Sequence, residues 1–321
     1  MLRGVRPAET DGMEQFGGRG RRALVLGGGG AYGIVQAAYV QAAFEAGFRP
    51  DLVIGTSVGA LNGAWIALHP ERPGALIEIW EGLGDIRVLD LHPVRLASRL
   101  IGRRRSLCTN SIVTRLIDEH LGDLSFEDTR IELAIVATNL TRGRKEVFRA
   151  GRIGPAIHAS TAIPGVFEPY EINGEHYVDG CVTASVDIAS AVQLGSTEVL
   201  AIELAPPFAP RQAKTPLGVL VASLGVLSHS ATDAAEALAA KQAAVHVLRP
   251  DLSGLSPWRL QQRPGMAREW LEAARAEVPA ALDSLGRVKP AVTHRPRAVI
   301  EAVPARNGIR RFPKVVRRHA A

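Results

Sequence analysis

Two short apolar runs, "ALVLG" (residues 23–27) and "LVIG" (52–55), are each halted by glycine and each followed by helix-forming residues. The first helical stretch, "GIVQAAYVQAAFEAG", closes on Gly47, and the second, "VGALNGAWIALH", is stopped by Pro70. Strand, helix, strand, helix within roughly fifty residues constrains the chain strongly, because adjacent parallel strands need a crossover that hairpins cannot supply. The pattern predicts an α/β fold with a mainly parallel central sheet. With 46% hydrophobic residues in 321, the chain can bury a full core of that kind.

The remaining elements follow from local signals. "NSIVTRLIDEHLGD" (110–123) reads as a helix, with Ile112, Leu116 and Leu121 at helical spacing. "IELAIVATNL", "KEVFRA" and "EVLAIEL" (198–204) read as strands. Asn173-Gly174 inside "YEINGEHYVDG" predicts a tight hairpin. Beyond Pro206 the texture becomes helical: Leu217, Leu220, Leu224 and Leu227 share one face, as do Leu271, Ala274, Val278, Leu282 and Leu285. Both stripes are expected to be packing faces. The organisation expected is a flexible polar leader (1–21), a catalytic core (22–205), a helical part packed on it (206–286) and a Pro-containing tail (287–321).

Charge is concentrated in that tail, which carries +9, whereas residues 1–286 sum to −3. A solvated, disordered tail is the plain reading and peripheral contact with anionic lipid head groups the functional one. Nucleic acid is not expected, since no aromatic-studded basic surface accompanies the charge. The leader has no signal-peptide apolar run, and "PLGVLVASLGVL" is too short to span a bilayer, so a cytoplasmic location is expected. Two cysteines, Cys108 and Cys181, cannot form a disulfide framework.

Between the first strand and helix lies "GGGGAYG", in which Gly28, Gly30 and Gly33 have dinucleotide-fingerprint spacing. Backbone N–H groups beside a helix N-terminus serve a pyrophosphate or a developing oxyanion equally well. A dinucleotide site needs an acid at the end of the second strand to hold the ribose. That strand instead ends "VIGTS", with Asp51 at its opposite end. What begins there is GxSxG, Gly55 to Gly59, a pattern that lifts the Ser57 hydroxyl out of a strained strand-to-helix turn. The candidates for a base acting on Ser57 are His176, His229 and His246, none in a glycine-flanked loop, and Asp179, which closes the hairpin strand before Gly180.

Taken together, these residues resemble the patatin-like phospholipases, serine acyl hydrolases that use a Ser–Asp dyad without histidine. "GGGGAYG" is similar to the family's glycine-rich loop, Gly55–Gly59 to its GxSxG, and Asp179-Gly180-Cys181 to its Asp-Gly-Gly/Ala motif. "HASTAIPGVFEPYEINGEHYVDG" looks like its most characteristic segment, and the resemblance covers residues 22–205. It implies a three-layer α/β/α fold and hydrolysis of lipid or ester substrates, with no metal or other cofactor. Ser57 would be the nucleophile and Asp179 the general base. Gly28, Gly29 and Gly30 would supply the oxyanion amides, with Gly33, Gly55, Gly59 and Gly180 shaping the turns. A catalytically silent lipid-binding protein on the same fold is the alternative. Two departures stand out: Tyr32 occupies a position where many members carry Arg, and Cys181 replaces a smaller residue.

Overall fold

The structure, a computed structural model, describes residues 20–87, 111–204, 216–253, 255, 259–260 and 263–287. Most of the expected leader and tail, Cys108, and the side chains of Leu217, Leu220 and Leu224 lie outside the described residues. The first half of the chain runs β1 (Arg22–Leu26), α1 (Gly33–Glu45), β2 (Leu52–Thr56), α2 (Val58–Leu68), α3 (Ala75–Gly82), β3 (Ile86–Arg87), α4 (Ser111–His120), β4 (Glu132–Asn139), β5 (Arg144–Phe148) and α5 (Ile153–Ser160). There follow β6 (Tyr170–Ile172), β7 (Glu175–Asp179), α6 (Ile188–Gln193), β8 (Glu198–Ile202), α7 (Pro216–Ala239), β9 (Ala244–Leu248), β10 (Arg259–Leu260) and α8 (Met266–Arg287).

One eight-stranded sheet organises the molecule. Strands β4, β2, β1, β8 and β9 are parallel neighbours in that order, while β5, β6 and β7 join antiparallel around β4. Alternate residues feed two cores. Leu24, Leu26, Val53, Leu133, Ile135, Leu200 and Ile202 pack with α1, α2, α4 and α8. Ala23, Val25, Leu52, Ile54, Ala134, Val136, Val199 and Ala201 pack with α6 and the end of α7. The architecture is therefore α/β/α in three layers, each strand face burying its own helices. Ala274, Val278 and Leu285 of α8 are buried in the first core, with Leu271 and Leu282 packed against it. Asn173 and Gly174 both take positive φ in the β6–β7 turn, as a two-residue hairpin with the right twist requires. Leu227 differs from expectation: it is 60% exposed. The physical reason is its position on α7, in the part that precedes the helix's attachment to the sheet.

The pairing around β4 positions the site. On one edge β4 pairs with β5 through Ile135–Asn139. The other edge is shared: β2 occupies Glu132–Val136, and β7, running the opposite way, occupies Ala137–Asn139. Hence β2 and β7 meet end to end. Thr56 pairs with Val136 and Asp179 with the next residue, Ala137, so the residue that follows β2 and the last residue of β7 face each other across a break in the sheet.

Candidate active site

Ser57 sits in that break between β2 and α2 with φ 55° and ψ −122°, one of two non-glycine residues at positive φ among those described. Such a conformation costs on the order of 1–3 kcal/mol and persists only where its surroundings enforce it. Three features do so. The Ser57 N–H donates to Ser160 Oγ (2.8 Å), and that hydroxyl donates to Val136 O (2.6 Å). The Ser57 carbonyl accepts from Ala60 N (2.9 Å), starting α2. Gly59 lets the helix press on β1, since a Cβ there would lie 2.1 Å from the Leu26 carbonyl oxygen. The positive end of α2 is thereby directed at the serine.

Asp179 arrives from the opposite strand. The Ser57 hydroxyl donates to Asp179 Oδ2 at 2.7 Å, and Cys181 N donates to Oδ1 at 2.8 Å. Both residues are almost fully buried, at 5% and 3% exposure. Burial raises the Asp179 carboxyl above the ordinary carboxylate range, against the lowering effect of the Ser57 and Cys181 bonds. A serine hydroxyl bonded to a carboxylate of raised proton affinity can lose its proton as it attacks an electrophile. The three histidines are engaged elsewhere or apart: His229 Nδ1 meets Glu203, His246 Nδ1 meets Ser284, and His176 donates its backbone N–H to Thr141.

The Cys181 side chain fits the turn. Its sulfur approaches Ser185 Oγ at 3.6 Å and fills the space that a Cβ on Gly28 would need. Burial holds this thiol neutral, well above its ordinary value. Tyr32 is also buried, with its ring in the core beside α1, so position 32 presents no polar group to a ligand outside.

The glycine loop follows β1 at the same sheet edge. The Gly28 amide differs from its sequence expectation, because it already donates to Ser185 O, at a long 3.3 Å. Among the described residues, the Gly29 and Gly30 amides have no such acceptor. Gly30 takes φ +57°, which turns the chain from strand direction into the short 3-10 turn Gly30–Tyr32 leading into α1.

A buried polar network grips both ends of this loop. Gln36 Nε2 donates to Gly27 O (3.0 Å), and Asn62 Nδ2 donates to Gly33 O (3.0 Å) and to Gln36 Oε1 (3.0 Å). Trp80 Nε1 completes it by donating to Asn62 Oδ1 (2.8 Å). Sequence reasoning missed Gln36, Asn62 and Ser160. The signal was present for the first two: each is an amide flanked by apolar and small residues in the helices expected to pack on the sheet, where an unpaired polar group would be costly. Asp51, the acid at the wrong end for a ribose, accepts from Arg22 N (2.8 Å) and ties the amino ends of β1 and β2 together. No group of three or more His, Cys, Asp or Glu side chains among the described residues is placed to hold a metal ion.

A family model described as patatin-like phospholipase matches residues 24–192, more than half of the chain, a span that includes the glycine loop, Ser57 and Asp179. The chain belongs to the patatin-like phospholipase family. It is 30% identical over 184 residues to lysophospholipase NTE1 of Phaeosphaeria nodorum, covering 56% of this chain and 12% of that protein. An NTE family protein of Mycobacterium tuberculosis is 27% identical over 238 residues, covering 72% of this chain and 39% of that one. The chain thus spans well under half the length of these two relatives. Among solved structures, VipD from Legionella pneumophila shares the fold with a TM-score of 0.51 at 14% identity, over 83% of this chain and 67% of that one.

Proposed function

We propose that this patatin-like chain hydrolyses acyl ester bonds of lipids through an acyl-enzyme on Ser57, with Asp179 as general base. The observation that carries the reading is the 2.7 Å bond between two buried side chains 122 positions apart in sequence, held at a break in the sheet. Asp179 Oδ2 takes the Ser57 proton as Oγ attacks the ester carbonyl. The oxyanion is met by the Gly29 and Gly30 amides, and by Gly28 where its long bond to Ser185 yields. Collapse breaks the ester bond, and Asp179 returns the proton to the departing alcohol. A water then enters, gives a proton to Asp179 and attacks the acyl carbon. Collapse frees the carboxylic acid and restores the Ser57 hydroxyl.

The fungal relatives' name, lysophospholipase, supports a single-chain phospholipid as the substrate class. The burial of Tyr32 argues that position 32 takes no part in holding the head group. A p-nitrophenyl acyl ester and a fluorophosphonate probe test the chemistry. Ser57→Ala is expected to abolish both turnover and covalent labelling. Retained turnover would remove the serine from the reaction, and a wild-type protein that never labels would favour a silent lipid-binding role.

A further inference from the structure

Helix α7 is longer than the sheet it packs on. It runs opposite to β8 and β9, and its attachment lies in its second half. His229 Nδ1 meets Glu203 Oε1 (3.2 Å), and Glu203 is the first residue past β8. Arg249, the first residue past β9, binds Glu203 (2.7 Å), Asp233 (2.9 Å) and Glu236 (3.0 Å). From His229 onward α7 therefore covers the sheet and ends at Ala239 in the second core. The residues before it, Pro216–Ser228, make about 20 Å of helix at 1.5 Å per residue and continue past the carboxyl ends of the strands. That edge is the one carrying Ser57 and the glycine loop, and α7 also packs on the turn Gly180–Val182 that follows Asp179.

The overhang is apolar and uncharged. Val219, Val226 and Leu227 are 51%, 46% and 60% exposed, and Leu140, just past β4 on the same edge, is 51% exposed. Of the exposed large hydrophobics among the described residues, only Leu238 lies toward the opposite edge. From Thr215 to Thr232 there are eighteen residues without a single Asp, Glu, Lys or Arg, whereas acids return at Asp233 and Glu236, where the helix is tied down. A helix facing water alone would be expected to carry charge on its outer side. No helix among the described residues is long and apolar enough to cross a membrane. A short uncharged overhang beside the nucleophile suits the surface of a lipid aggregate, into which such a face sinks without crossing.

We infer that the amino-terminal half of α7 is an interfacial anchor that seats the catalytic edge on a zwitterionic lipid surface, through apolar burial rather than charge. The inference rests on the lipid hydrolase reading for its choice of partner, and it assigns membrane contact to α7 independently of the basic tail.

The test uses the full chain with phosphatidylcholine vesicles at high salt, where electrostatic attraction is screened. Val226→Asp/Leu227→Asp is expected to lower the vesicle partition coefficient on the order of 100-fold, the scale of burying two such side chains. Hydrolysis of a short, water-soluble p-nitrophenyl ester should be unchanged. Equal vesicle binding by the variant would overturn the inference. So would a variant that converts a dimer to a monomer by sedimentation velocity, since the face would then join two copies of the chain. A second probe needs no disruptive change: Leu227→Trp should show added fluorescence quenching by brominated phosphatidylcholine relative to the parent protein, and no added quenching would also overturn it. If the soluble ester is not hydrolysed through Ser57 while the vesicle results hold, the catalytic reading fails and the anchor stands.

Discussion

At the scale of single residues, the proposed role of Asp179 sets activity against stability. Its carboxyl is buried and its affinity for a proton is raised by that burial. Between the unfolded value, near ~4, and the raised folded value, the native state binds more protons than the unfolded state. Stability therefore falls as pH rises through that window, and the full penalty persists above it. The proposed reaction requires the opposite, an ionised carboxylate. The acid limb of kcat/KM is accordingly expected above pH ~4, the ordinary carboxylate range. Asp179→Asn removes the buried charge but keeps a group that can bond both Ser57 Oγ and Cys181 N. It should raise the melting temperature by a few degrees while lowering ester turnover by at least about 100-fold. A lower melting temperature together with retained activity would exclude Asp179 as the base.

At the scale of elements, the glycine loop is only as well placed as the helices behind it. An oxyanion hole works because its donors are fixed before charge develops. Here the loop's two ends are held by side chains of α1 and α2, through Gln36 on the Gly27 carbonyl and Asn62 on that of Gly33. Gln36→Met keeps the volume but leaves the Gly27 carbonyl without that donor. The expected cost is about 1–3 kcal/mol in chemical denaturation. A roughly ten-fold lower kcat with KM little changed should accompany it, because loosened donors weaken transition-state binding more than ground-state binding. A rise in KM alone would place the network in substrate binding instead. Ser160 plays the corresponding part for Ser57, whose N–H it accepts, so that in the proposed reaction the glycine amides rather than the Ser57 amide would meet the oxyanion.

At the scale of the whole molecule, the cluster of Glu203, His229, Asp233, Glu236 and Arg249 joins the parallel sheet to its longest covering helix. Glu203 is 2% exposed and is met by His229 from α7 and by the Arg249 guanidinium. Arg249→Met removes the guanidinium and leaves that carboxylate buried without its main partner. A loss of about 3 kcal/mol is expected, the lower end for breaking a buried pair because Arg249 is itself partly open to solvent. Thermal unfolding of the variant measures it. A simultaneous Glu203→Gln change should recover part of the loss, whereas an unchanged melting temperature in the single variant would show that apolar packing alone holds α7.

Much of the fold and of the candidate site was legible in the sequence, because it depends on signals within a few residues. Apolar runs halted by glycine define β1 and β2, Asn173-Gly174 defines a hairpin, and GxSxG and Asp-Gly place Ser57 and Asp179 at the ends of strands. Other features depend on contacts across long stretches of chain, and no local pattern encodes them. The end-to-end meeting of β2 and β7 along β4, which brings hydroxyl and carboxylate to 2.7 Å, is a matter of sheet register. The hold of Ser160 on the Ser57 amide joins residues 103 positions apart. The leucine pattern of α7 reads the same whether its partner is a sheet or solvent, and only the tertiary structure decided that Leu227 lies beyond the sheet. Periodicity specifies that a helix has an apolar face; the packing of the whole chain determines what that face meets.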